Sequence, residues 1–196
     1  MPETLSIKRE IQRKLIHFSS AIIPIIILIV GRDKSLFYLG IITVLFLIVD
    51  FLKSRIGMLE RLYCYFFGEV IREHEIKDFT GASWVLTGCF LTLLIFPLYA
   101  AVFGMFVMSI CDSFAAIIGK SAGSAHVFGK TFEGTMGFIL SGFVLILVLP
   151  FISPFWGITA VFTASIIELL PYPKINDNLS IPIVSAAVLQ LNPVIS

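Results

Sequence analysis

Long apolar runs separated by short polar connections fill most of this chain. Seven can be drawn, at about residues 15–31, 36–52, 80–98, 99–119, 133–153, 154–171 and 179–195. Each approaches the roughly 20 residues that carry an α-helix across a bilayer. The pattern therefore predicts an all-α, polytopic membrane bundle of about seven transmembrane helices. The last run carries the weakest signal, because Gln190, Asn192 and Pro193 interrupt it. The interval 53–79 follows another rule. There Ile56, Leu59, Tyr63, Phe66, Phe67 and Val70 recur at steps of three and four, with Arg55, Arg61, Glu69 and Arg72 between them. That spacing predicts one amphipathic helix lying in the membrane interface.

Composition agrees. Of 196 residues, 58% are hydrophobic and 14% charged, against roughly 45–50% and about 25% in soluble chains; the mean hydropathy is +0.99. One domain, 1–196, is expected, since no internal repeat or low-complexity tract divides the chain. The net charge of +1, with no basic stripe interleaved with aromatics, argues against a nucleic-acid surface. The first apolar run contains His17, Ser19, Ser20 and Pro24 and is followed by no small-residue cleavage site, so it is expected to be a retained helix. Cys64, Cys89 and Cys111 form no CxxC pair and fall in or beside apolar runs, as buried free thiols do.

Charge placement gives an orientation. With a cytoplasmic N-terminus, twelve of the fourteen Lys and Arg residues fall in inner segments, and only Arg32 and Lys34 lie outside. That is the asymmetry of the positive-inside rule. Charges that penetrate or abut a run gather at the same face: Arg13, Lys14 and His17, then Asp50, Asp112, Glu133, Glu168 and Asp177. A transporter places its polar groups near the midplane. A one-sided cluster suits an enzyme that draws a polar substrate from the cytosol and a lipid from the bilayer. The non-enzymatic rival is a small transporter or lipid-binding membrane protein.

Four constellations hold the candidate chemistry. Arg13, Lys14 and His17 share a helical face; they either present cations to a phosphate or anchor the helix by snorkelling to head groups. Asp112 lies at membrane depth, where a carboxylate is costly. It is either paired with a lysine across the bundle or a ligand for Mg²⁺, which favours one or two carboxylates plus substrate phosphates. The segment 123–131, GSAHVFGKT, is similar to a P-loop, but five residues rather than four separate Gly123 from Gly129, and no strand is expected before it. It is either a phosphate cradle containing Lys130 or a plain connecting loop. Asp177 and Asn178 follow Pro171 and Pro173, with Glu168 nine residues before Asp177. They read either as a turn and helix cap or as a second acidic group facing Asp112.

The runs DSFAAIIG at 112–119 and KTFEGT at 130–135, with RKLIH at 13–17, TGASW at 80–84 and DNLSIP at 177–182, resemble the dolichol kinase and phytol kinase family of polyprenol kinases. The patches occur in the family's order across nearly the whole chain, although Cys111 stands where the family usually has glycine. The resemblance implies a phosphotransferase with an alcohol acceptor, moving the γ-phosphate of CTP, with Mg²⁺, to a long-chain isoprenoid alcohol of the polyprenol, dolichol or phytol type. Membrane lipids would surround it. It also implies that Asp112, Lys130, Thr131, Glu133 and Gly134 form the nucleotide site and that Asp177 and Asn178 complete it. Ser113, Gly119, Lys120, Gly129 and Thr135 fall on the same CTP-binding segment. Asp112, Glu133 and Asp177 are then the expected metal ligands, and Lys130 the expected neutraliser of transferred charge. Arg13, Lys14, His17 and Glu168 are expected at phosphate or lipid head group. CTP-dependent diacylglycerol kinases share these motifs, with a different acceptor; phosphatidate cytidylyltransferases share part of them.

Overall fold

The computed structural model describes residues 7–68, 73–170 and 176–192. The expectations for Glu69, Val70, Arg72, Pro171, Pro173 and Pro193 lie outside the described residues. Nearly everything described is helical: α1 (Ile7–Ser19), α2 (Ile22–Val30), α3 (Arg32–Lys53), α4 (Gly57–Phe67), α5 (Glu73–Lys77), α6 (Gly81–Ile95), α7 (Leu98–Phe106), α8 (Asp112–Ala122), α9 (Phe132–Val148), α10 (Pro154–Leu169) and α11 (Asp177–Leu189). A π-helical turn, Val107–Cys111, joins α7 to α8 without a break.

Three of these stretches are long and apolar enough to cross a bilayer: Glu10–Val30, Arg32–Lys53 and Leu98–Ala122. The helices α6, α9, α10 and α11 are apolar but hold 10–17 residues each. Seven full-length spans are therefore not what the helix lengths show. Proline sets two of the limits. Phe96, held extended by Pro97, ends α6, and α10 starts with Pro154 in its first turn. Proline also divides the first span, because the Pro24 ring excludes a helical carbonyl at Ser20; the chain turns at Ser20–Ala21 and the Ser20 hydroxyl donates to His17 O at 2.6 Å.

The interval 53–79 is not one helix. A turn at 54–56 precedes α4, which ends at Gly68, and α5 is separate. The outer side chains of α4, Met58, Leu62, Tyr65 and Phe66, are nevertheless apolar and exposed.

At the centre stands α7, buried on all sides from Ala100 to Phe106, as a helix hydrophobic all round must be. Close approach of α11 requires two glycines. A Cβ at Gly104 would lie 2.3 Å from Pro182 O, and one at Gly88 would lie 2.1 Å from Asn178 O. Small residues of this kind let helices pack where lipid removes the hydrophobic drive between them. The outer faces of α1 to α3, α9 and α10 expose large aliphatic side chains; Leu147 is 85% exposed. That apolar coat marks a surface for lipid.

Direction alternates along the bundle. The guanidinium of Arg32 donates to Leu93 O (2.9 Å) and Leu94 O (3.1 Å) at the C-terminus of α6, so the start of α3 meets the end of α6. At the opposite end lie Lys53, the start of α6, the N-termini of α9 and α11, and the end of α10.

Candidate active site

That opposite end holds a cleft of about 860 Å³. Three tertiary arrangements build it.

The first joins α1 to α8. Lys14 and His17, three residues apart on α1, converge on Asp112: Lys14 Nζ donates to its Oδ2, and His17 Nε2 lies 3.3 Å from the same oxygen. His17 is also 3.1 Å from Met108 O, inside the π turn. A π turn offsets the ladder by one residue, and such turns favour functional positions. Here it immediately precedes Asp112. Lys14 and Asp112 line the cleft, whereas His17 stands behind them. Arg13 also lines it and is bound by Glu10, Nη2 to Oε1 at 2.6 Å.

The second arrangement is the 123–131 segment. It is a β-hairpin, with β1 (His126–Val127) antiparallel to β2 (Lys130–Thr131) and His126 opposite Thr131. These two strands of two residues each are the exception, among the described residues, to an otherwise helical fold. Its turn residues, Phe128 (φ 50°) and Gly129 (φ 85°), have the positive φ pair of a type I′ turn. The segment is therefore neither a Walker-type loop nor a plain connection. Thr131 caps α9 by accepting from Gly134 N at 3.2 Å.

The third ties the hairpin to α10 and α11. Lys130 Nζ donates to Asp177 Oδ2 at 2.9 Å, meets Glu168 Oε1 at 2.7 Å and also donates to Glu168 O. Burial works against the Lys130 ammonium, but the two carboxylates outweigh it and hold its pKa above the ordinary lysine value. The cap of α11 is Asn176, whose Oδ1 accepts from Asn178 N at 3.0 Å, and this leaves Asp177 in the first turn.

Of the residues singled out in the sequence, Arg13, Lys14, Asp112, Gly119, Lys120, Gly129, Lys130, Thr131, Gly134, Thr135, Glu168, Asp177 and Asn178 line this one cleft. Ser113 does not. It is fully buried, and its hydroxyl donates to Ser109 O at 2.7 Å. Glu133, expected as metal ligand and catalytic group, is not in the lining either. Its carboxylate accepts from the Ser124 hydroxyl and from Ala125 N, bracing the loop ahead of the hairpin. Sequence reasoning missed a wall made by Glu75, Asp78, Phe79, Gly81 and Trp84. Its signal was the TGASW patch, whose tryptophan sits among small residues at the start of a helix.

The lining carries four Lys and Arg (Arg13, Lys14, Lys120, Lys130) against six Asp and Glu (Glu10, Glu75, Asp78, Asp112, Glu168, Asp177). Lys14 and Lys130 already have carboxylate partners. A polyphosphate would meet little uncompensated positive charge here unless a divalent cation came with it. Among the described residues, no three His, Cys, Asp or Glu side chains form a metal-binding group. Mg²⁺ fits such a donor set, since it keeps waters and takes one or two carboxylates plus substrate oxygens.

Fold and cleft together define a helical membrane protein with a charged site at one end of its bundle. The chain belongs to the same family as an uncharacterized protein of Rickettsia prowazekii, with which it shares 30% identity over 89% of this chain and 90% of that one. It is 26% identical to an uncharacterized protein of Methanocaldococcus jannaschii over 92% and 93% of the two chains. It is 25% identical, over 94% of each chain, to a Schizosaccharomyces pombe protein named CTP-dependent diacylglycerol kinase 1. No family model and no solved structure matches the chain.

Proposed function

We propose that this chain is a CTP-dependent lipid kinase, which moves the γ-phosphate of CTP to the hydroxyl of a lipid alcohol at the cytoplasmic face of a membrane. The observation that carries this reading is the cleft itself: Lys14–Asp112 and Lys130–Asp177, from four distant parts of the chain, face one cavity at the end of an apolar bundle. The names of the fission-yeast relative and its Saccharomyces cerevisiae counterpart supply the donor. The excess of Lys and Arg at the cleft end supports a cytoplasmic orientation for that end.

Phosphoryl transfer asks a protein mainly for positioning and charge stabilisation. Lys14 and Lys130 exchange their carboxylate partners for phosphate oxygens when the nucleotide enters. Asp112 and Asp177, thus released, are the residues that would hold Mg²⁺, which supplies positive charge over the phosphates. The bond from the lipid oxygen to the γ-phosphorus forms as the bond to the β–γ bridging oxygen breaks. CDP leaves, and the hydroxyl proton passes to solvent water.

Diacylglycerol is the acceptor that the relatives' names favour. An isoprenoid alcohol is the second reading, favoured by the RKLIH, KTFEGT and DNLSIP patches. The test is incubation of detergent-purified protein with labelled CTP, Mg²⁺ and each lipid. CDP with phosphatidate supports the first acceptor, and CDP with a polyprenyl phosphate the second. Release of pyrophosphate, or no turnover with either lipid, overturns the kinase reading.

A further inference from the structure

The wall of the cleft formed by residues 75–84 is unlike the rest of the lining. It contributes Glu75, Asp78, Phe79, Gly81 and Trp84, and no lysine or arginine. Such a wall repels phosphate and offers what a nucleobase needs, an aromatic face and a hydrogen-bond acceptor. Phe79 and Trp84 stand edge to face, with ring centroids 6.2 Å apart. Aromatic side chains of this kind are stacking platforms for bases. Asp78 Oδ1 accepts from Phe79 N at 2.7 Å. Its other oxygen has no partner among the described residues. A carboxylate reads the exocyclic amine of cytosine, which uracil lacks.

The wall is also held in place from behind. Lys53, 1% exposed, donates to Asp50 Oδ1 (3.1 Å), Glu75 O (2.8 Å) and Asp78 O (3.1 Å). Asp50 Oδ2 accepts from Thr80 N (2.7 Å), Thr80 Oγ1 (2.9 Å) and Ser83 Oγ (2.6 Å). A buried ion pair thus fixes the backbone on both sides of Phe79. The wall adjoins the charged groups as well. Asn178 Nδ2 donates to Gly81 O at 3.4 Å, and Asn178 follows Asp177, the partner of Lys130.

We infer that Asp78, Phe79 and Trp84 form the nucleobase subsite of the cleft, stacking a pyrimidine on the aromatic pair and accepting from its exocyclic amine at Asp78. This rests on the lipid kinase reading and adds the base selection that the reading leaves unexplained. Asp50 and Lys53 are positioning residues for the subsite and do not touch the nucleotide.

Two measurements test it. In protein carrying Trp156→Phe, whose remaining tryptophan is Trp84, titration with CTP should quench emission at lower concentration than titration with UTP. Separately, Asp78→Asn should lower the CTP-over-UTP ratio of kcat/KM by about tenfold or more. Lipid phosphorylation without quenching, an unchanged ratio in Asp78→Asn, or an equal loss of kcat with both nucleotides overturns the subsite while leaving the kinase reading intact. Absence of lipid phosphorylation with every nucleotide triphosphate, despite CTP-selective quenching, overturns the kinase reading and leaves the subsite standing.

Discussion

Lys130 and Asp177 are 47 residues apart in the chain and 2.9 Å apart in the fold. With Glu168, this contact joins a hairpin, the end of one helix and the start of another at the mouth of the cleft. Lys130→Ala should therefore act in two ways. It should raise the KM for CTP by about tenfold or more, since a hydrogen bond to a charged group is lost. It should also loosen the hairpin, read as faster proteolysis near 126–131. An unchanged CTP dependence removes Lys130 from the phosphate site. The raised pKa of Lys130 has a defined sign: its contribution to stability is complete below the ordinary lysine pKa and is lost only as pH rises through the higher folded value. Titration from pH 6 to 9 should leave this contact intact.

Asp112→Asn keeps the size of the side chain while removing the charge that Lys14 and His17 meet. Transfer should fall roughly 100-fold or more, the scale on which charge-stabilising groups act. Thermal stability should also fall, because Lys14 is left buried without its counter-charge. The double variant Lys14→Met, Asp112→Leu separates the two effects. It should regain stability in a detergent thermal-shift assay without regaining activity. Activity near the parent level in Asp112→Asn would end the role given to this residue.

Glu133 and Asp177 make a contrasting pair. Glu133 lies outside the cleft lining and braces Ser124 and Ala125, whereas Asp177 lines the cleft. Glu133→Gln should change kcat/KM by less than about threefold, as surface changes do. Asp177→Asn should cost far more. The reverse order, measured under the same Mg²⁺ and CTP concentrations, would restore Glu133 to the chemistry.

Asp50 and Lys53 predict a coupling. Either Asp50→Asn or Lys53→Met leaves a buried charge uncompensated, at a cost of about 3–5 kcal/mol. The double variant should be markedly more stable than the sum of the single losses. Additive losses by chemical denaturation would show that the pair is not the unit described.

Gly104 tests the packing at the centre of the bundle. Its Cβ would fall 2.3 Å from Pro182 O, an atom that cannot swing aside. Gly104→Ala should push α7 from α11 and cost about 1–3 kcal/mol, measured as a lower Tm. An unchanged Tm would refute that close approach.

Much of this protein was legible in its sequence, for reasons that are local. Apolar runs long enough for a bilayer reveal themselves residue by residue, and charge bias at their ends assigns a shared face. Asp112, Lys130 and Asp177 stood out because an ionisable group beside a membrane run needs a reason to be there. The boundary drawn between the runs 133–153 and 154–171 is kept, with α10 starting at Pro154.

What the tertiary structure decided was which of these groups meet. No spacing shows that Lys14 would take Asp112, that Lys130 would reach Glu168 and Asp177, or that Glu133, two positions past a cap, would turn away from all of them. Side chains three residues apart on one helix share a face by geometry alone. Those 98 residues apart, as Lys14 and Asp112 are, share a site only through the packing of every helix between. The hairpin and the π turn were hidden for the same reason: neither a two-residue strand pair nor a one-residue offset of the helical ladder leaves a periodic signal in the sequence.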